Sequence, residues 1–445
     1  MPPKIATSRV LRYSSLAIPV VAVTVPISGY LPLFYNTVAG ISLTTIGVAF
    51  FILRMLDFAL DVLIAMSVDS CPWRRGVYRP WMVLSLPVLL AGVWMMYLPD
   101  PRWLSLPYVL GSGLLLYAGY SIANITHQAW GAEVFALSGQ IEQFFGFREL
   151  AVITGILGVA LVPAVVESVW HADLPARVQS IGLFLLCGLV LIGPLAIGAI
   201  PDARNDRRPH VFSFAGGIMC LRNSSLRGVV LAKIFIFFAI IGSHTMLPFV
   251  VKSYFHLFDY FSRLLAIYFV CAFVGVFFWL RMARQLGDLR TLQCAAAYMI
   301  VVHLSTVAIA ARAGTLTPLA LHFGAMGAGF GAIPMLLRST AGRIAQYFET
   351  HMGTSIRGVV FGLVTIAEKL GIAAAAGVAL PLMDLFGLQA SGYNTTSTLR
   401  SLLAAYFVVP VLGYGLTLLA ISRIRPEHLS DRFGATPLPS GRRSP

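Results

Sequence analysis

The chain has 445 residues, 58% of them hydrophobic and only 11% charged, a balance that excludes a soluble globular protein of this length. The formal net charge of +14 invites a nucleic-acid reading, but the placement of the basic residues argues against it. Of the 32 Lys and Arg, 23 fall in segments on one side of the predicted spans, six in loops on the other, and three within spans. That is the positive-inside asymmetry of a helical membrane protein. It predicts both termini in the cytoplasm, a lipid bilayer as the surrounding partner, and no nucleic acid.

Apolar runs of about 18 residues or more, each enough to cross ~30 Å of hydrocarbon, recur along the chain. In order they predict helices 1–6 at 14–38, 43–68, 80–98, 104–132, 149–168 and 180–200. Helices 7–12 follow at 228–251, 262–282, 291–311, 317–338, 358–384 and 400–422. Nothing alternates with period two, so strands are not expected. The first run lacks a small-residue cleavage site and is expected to remain as the first span. Prolines interrupt several helices, with Pro19, Pro26 and Pro32 all in helix 1.

These runs give an all-α polytopic membrane protein of about twelve helices in two bundles of six. Residues 1–200 form the first bundle and 228–422 the second. Residues 201–227 form a polar cytoplasmic loop between them, and 423–445 a basic tail expected to be disordered. Two six-helix halves describe the major facilitator architecture, in which substrate binds at the midplane. The five cysteines form no CxxC pair. HExxH, GxSxG and Walker sequences are absent, so neither an enzyme nor an ATP-driven pump is expected, and no resident cofactor.

Helix 2 breaks the apolar rule. Arg54, Asp57 and Asp61 recur at three- and four-residue spacing and share one face. Ionisable groups at membrane depth are costly and mark function by default. An internal Arg54–Asp57 pair is the plain reading, yet it leaves one carboxylate over. Two carboxylates within one turn do not comfortably both carry charge in a poorly hydrated site, and a coupling H⁺ or Na⁺ resolves this. If the ion is Na⁺, Asp57 and Asp61 are its metal ligands. Ser121, Asn124 and Gln128 form a polar stripe on helix 4, and the first two offer further oxygens.

Other charges take roles around this cluster. Lys369, with Thr365 one turn earlier, brings a cation from helix 11; its alternative partner is Glu368. Arg148 reads equally as a gate or partner of the helix 2 acids and as an anchor beside Glu149. Lys233, near the start of helix 7, is expected to snorkel to the membrane surface. The loop basic residues Arg74, Arg75 and Arg79, echoed by Arg281–Arg290, are expected to pair with Asp69 and Glu133. Those pairs would shut the cytoplasmic side.

Arg54-x-x-Asp57-x-x-x-Asp61, then Asp69, then Trp73-Arg74-Arg75-Gly76-x-x-Arg79-Pro80-Trp81, resembles the signature of the glycoside–pentoside–hexuronide cation symporters. These are melibiose-permease-like members of the major facilitator superfamily. Asn124 to Glu133, Arg148, and Thr365-x-x-x-Lys369-Leu370-Gly371 resemble further family segments, and the likeness runs from Leu31 to Ile421. It implies a secondary active transporter of the plasma (inner) membrane that works by alternating access. Such a transporter couples H⁺ or Na⁺ to uptake of a small solute, a glycoside or uronide. It also implies that Arg54, Gln128, Arg148, Thr365 and Lys369 serve substrate and coupling; a monomer is expected.

The chain departs from that pattern at several points. Helix 1 carries no acid from Ser14 to Tyr35, with Val21 near the usual position. Gln128 replaces an aromatic residue, and Leu60 stands where sodium-using members often carry Asn. Two alternatives stay open: the same scaffold moving an amphipathic or lipid-like molecule, and a non-transporting membrane assembly or sensor.

Overall fold

The computed structural model describes residues 4–70, 78–202, 223–312, 314–330, 333–352, 357–389 and 392–424. Most of the expected central loop (203–222) and nearly all of the basic tail (425–445) lie outside the described residues. Within them every regular element is helical, and ten segments are long and apolar enough to cross a membrane.

Helix 1 is a chain of four short helices, Thr7–Ser14, Ala17–Ala22, Pro26–Gly29 and Leu31–Ala39. Each proline lacks an N–H and crowds the preceding turn, and three of them in one span favour breaks where single prolines such as Pro163 and Pro410 stay inside continuous helices. The Tyr97 hydroxyl donates to Val23 O of the broken segment, and the Tyr35 hydroxyl of that segment donates in return to Met96 O. Helices 2–6 are Leu43–Ser70, Arg79–Tyr97, Leu106–Leu137, Ile141–Trp170 and Leu174–Ile197.

Helix 7 is Ser224–Phe249, prolonged by a wide turn over Val250–Tyr254, and helix 8 is Phe261–Leu286. Helix 9 comprises Asp288–Leu304 and Thr306–Ala310, and helix 10 comprises Leu316–Phe330 and Ile333–Met352. Helix 11 is Arg357–Leu385 and helix 12 is Thr396–Ile421. Helix 5 therefore starts two turns before its apolar run. That start puts Arg148 inside the helix rather than at its first residue.

Helix 1 begins and helix 12 ends on one face of the bundle, the terminal face; the other is the far face. Outward-turned side chains such as Leu161, Val165, Val169, Leu191 and Leu195 are exposed and apolar, as lipid requires. Trp103 and Trp170 are exposed at the far-face ends of their segments, where amphipathic rings settle at a membrane boundary.

Helices 2 and 11 cross between the two sets of six. At Gly47 a Cβ would lie 2.9 Å from Pro381 Cδ and 3.0 Å from Ala376 O, so only glycine permits this approach near the far face.

Candidate coupling site

At the midplane, helix 2 turns its charged face inward because lipid cannot solvate it. Asp57 is fully buried with three partners. Arg54 lies 3.4 Å from Oδ2, the Ser121 hydroxyl donates to Oδ1 at 2.9 Å, and Lys369 Nζ lies 2.7 Å from Oδ2. Lys369 also donates to Asp61 Oδ2 at 2.5 Å. One ammonium from helix 11 thus closes both acids of helix 2. The charge that the sequence leaves over is met by a residue more than 300 positions away.

Arg54 is held on its other side by the Tyr117 ring, 4.8 Å from its guanidinium carbon. Helix 2 runs toward the terminal face, so Asp61 lies one turn nearer that face than Asp57. Asp61 is 25% exposed whereas Asp57 is 0% exposed, so access to the pair widens toward the terminal face. On the far side of Arg54, a cavity of only about 10 Å³ separates Ser28, Phe50, Arg54, Tyr117 and Thr245.

The helix 4 stripe divides. Ser121 joins the acids, but Asn124 faces helix 5, where its Oδ1 accepts from Arg148 at 2.8 Å and from Gln128 at 3.2 Å. Arg148 also lies 3.7 Å from Glu149, the partner of the anchor reading. Thr365 sits one turn before Lys369 and is exposed.

Of the residues expected to latch the terminal face, Arg79 and Glu133 are described. The Arg79 guanidinium donates to Ile197 O and Ile200 O. The Asp202 carboxylate accepts from the Tyr78 and Arg79 backbone N–H, and Glu133 accepts from the Tyr78 hydroxyl at 2.9 Å. These contacts tie helix 3 to helices 4 and 6 within the first six. Near the echo segment, Asp288 accepts from Ser339 and pairs with Arg343 within the second six. Arg74, Arg75 and the Asp69 side chain lie outside the described residues.

The far face carries a polar plug that sequence reasoning missed. Glu167, near the end of helix 5, is buried and pairs with Arg177 at 2.8 Å. It also accepts from Ser262 N–H at 3.0 Å and from Arg263 at 3.2 Å, both on helix 8. Arg177 donates to Phe258 O, the Tyr30 hydroxyl donates to Ser262, and the Asp384 carboxylate accepts from Thr44 N–H. Each of these three contacts joins helices 1–6 to helices 7–12. Their only trace in the sequence is isolated charge beside span ends, which does not say what faces what.

Lys233 corrects another expectation. It is fully buried, 2.9 Å from Glu368, with its ammonium 4.5 Å from the Phe237 ring centre. It does not snorkel, and Glu368 is taken by Lys233 rather than by Lys369.

A family model described as MFS/sugar transport protein matches residues 12–426. The chain belongs to the MFS/sugar transport family. The isoprimeverose transporter of Lactiplantibacillus pentosus is 22% identical over 432 residues, covering 91% of this chain and 87% of that protein. Among solved structures, the nucleoside transporter NupG aligns with a TM-score of 0.68 at 11% identity, covering 94% of this chain and 100% of that one. A bacterial homologue of the human drug peptide transporters aligns at 0.65 with 12% identity, covering 94% and 98%. A bacterial homologue of the human lysosomal transporter Spinster aligns at 0.62 with 13% identity, covering 95% and 97%. The fold is that of major facilitator transporters. This family member is an integral membrane transporter, not an enzyme.

Proposed function

We propose that this transporter is a proton-coupled symporter of small glycosides, working by alternating access with both termini in the cytoplasm of a plasma membrane. The observation that carries the reading is Lys369, which reaches across from helix 11 to both helix 2 acids. With Lys369 seated, the acids have a counter-charge and the empty site is electrically closed. A coupling cation competes with that ammonium. Its arrival frees Lys369, and this links ion occupancy to the relation between the halves.

The oxygen set favours a proton over Na⁺. Ser121 supplies one hydroxyl, but Asn124 is committed to Arg148 and Leu60 offers no oxygen. Partly exposed Asp61, on the terminal-face side of Asp57, is the point of exchange with cytoplasmic water. Arg148, Asn124 and Gln128 form a ready hydrogen-bonding group for sugar hydroxyls, and the similarity to an isoprimeverose transporter supports a glycoside. The plug around Glu167 belongs to the state closed on the outside; releasing Ser262 and Arg263 from Glu167 opens that path.

Proteoliposomes given radiolabelled isoprimeverose and other glycosides test this. An imposed inward proton gradient drives accumulation in wild type, and Lys369→Gln carries only downhill flux. Accumulation driven equally well by Lys369→Gln, or by a Na⁺ gradient alone, overturns the proton-coupled reading.

A further inference from the structure

Glu368 and Lys369 are consecutive on helix 11, so their side chains leave it about 100° apart. Lys369 points to helix 2 and Glu368 to helix 7, where Lys233 meets it at 2.9 Å. Lys233 lies nine residues into helix 7, about 14 Å along its axis at 1.5 Å per residue. It is 0% exposed, a placement that a lysine tolerates only when it is paired. One turn on, a Cβ at Gly371 would stand 2.4 Å from Ile234 O, so the two backbones touch beside the pair. Packing at Gly371 also holds helices 7 and 11 together, apart from the charges, and the ion pair adds its effect on the charges of the site.

The groups facing this region are Arg54, Asp57 and Asp61 from helix 2, and Ser121, Tyr117 and Tyr120 from helix 4. Arg148 adds a charge from helix 5, Lys233 from helix 7, and Glu368 and Lys369 from helix 11. Asp57 and Asp61 are balanced by Arg54 and Lys369. Glu368 is 28% exposed and sits one peptide unit from Lys369. Without Lys233 it becomes a third carboxylate at the edge of a site provisioned with two cations.

We propose that Lys233 is a positioning residue for coupling: by neutralising Glu368, it keeps that carboxylate from competing with Asp57 and Asp61 for Lys369. The inference rests on the reading of Lys369 as the coupling lysine. Lys233 never touches the ion or the substrate. It acts by leaving Lys369 a single destination across the interface, so that the acids and Lys369 respond to one proton and not to a fixed neighbouring charge.

The test compares Lys233→Met, Lys233→Arg, Lys369→Gln and the double variant Lys233→Met/Glu368→Gln in proteoliposomes, with folding checked by monodispersity. Lys233→Met adds unbalanced negative charge, so half-maximal uptake moves to higher pH by about one unit, a tenfold lower proton concentration. Accumulation also falls at least tenfold below wild type. Lys233→Arg and the double variant return both readouts to wild-type values. Lys233→Gln stands in if the methionine variant does not fold.

A Lys233→Met or Lys233→Gln protein that accumulates glycoside with the wild-type pH profile overturns the proposal. So does a folded double variant as impaired as the single one. Retained coupling in Lys369→Gln instead overturns the reading of the site on which the inference stands.

Discussion

Glu167→Gln perturbs the far-face plug at its hub. The Glu167–Arg177 pair lies within helices 1–6, so rigid-body rocking of the halves leaves it in place and it cancels between states. Only the contacts to Ser262 N–H, at 3.0 Å, and Arg263, at 3.2 Å, belong to the closed far face. A hydrogen bond to a charged group contributes about 1.5–3 kcal/mol and a neutral one about 1. Arg263 is 42% exposed, so its bridge adds about 0–1 kcal/mol. The substitution keeps a carbonyl oxygen for Ser262 and loses the charge, a net loss of about 1.5 kcal/mol. At 1.4 kcal/mol per tenfold, the open-to-closed ratio of the far face rises about tenfold.

Ser28 lines the small far-side cavity and reports this directly. In a background without the five native cysteines, Ser28→Cys is labelled from outside by a membrane-impermeant maleimide. Labelling in the Glu167→Gln protein is expected to be about ten times faster. An unchanged rate in a folded protein refutes the assignment of the plug as a gate.

Two further outcomes follow from the same geometry. Gly47→Leu drives a side chain into Pro381 and Ala376 O, so helices 2 and 11 cannot close at the far face. Uptake is lost and Ser28→Cys labelling is fast; wild-type uptake would contradict this. Arg148→Ala releases Asn124 and Gln128 and raises the half-saturating glycoside concentration at least tenfold, while the pH giving half-maximal uptake stays put. A shifted pH profile with unchanged substrate affinity would move Arg148 from the substrate to the ion.

What could be read in advance follows the reach of each signal. The spans were legible because a bilayer demands about 20 apolar residues, and helix 1 differs where polar residues such as Arg9 and Arg12 extend it and where it divides into four short helices. Arg54, Asp57 and Asp61 were legible because helical period alone places them on one face. Lys369 was legible as an inward cation, but its contact with both acids was not, because the sequence does not register helix 11 against helix 2. Asn124 was assigned to the acids by its stripe, yet helix 5 begins early and sets Arg148 beside it. Lys233 looked like a snorkelling residue by distance from a helix end; a carboxylate on another helix decided otherwise. The Glu167 plug stayed hidden for the same reason, since Ser262 and Arg263 meet Glu167 only after the two sets of six come together.

The coupling claim rests on Asp57, whose carboxylate gathers Arg54, Ser121 and Lys369. Asp57→Asn is neutral at every pH and has no proton to exchange. In proteoliposomes with an inward proton gradient, wild type is expected to concentrate glycoside and to lose that concentration when an ionophore collapses the gradient. Asp57→Asn is expected to equilibrate the same glycoside without concentrating it, ionophore or not. Concentrative, ionophore-sensitive uptake by folded Asp57→Asn would contradict the account.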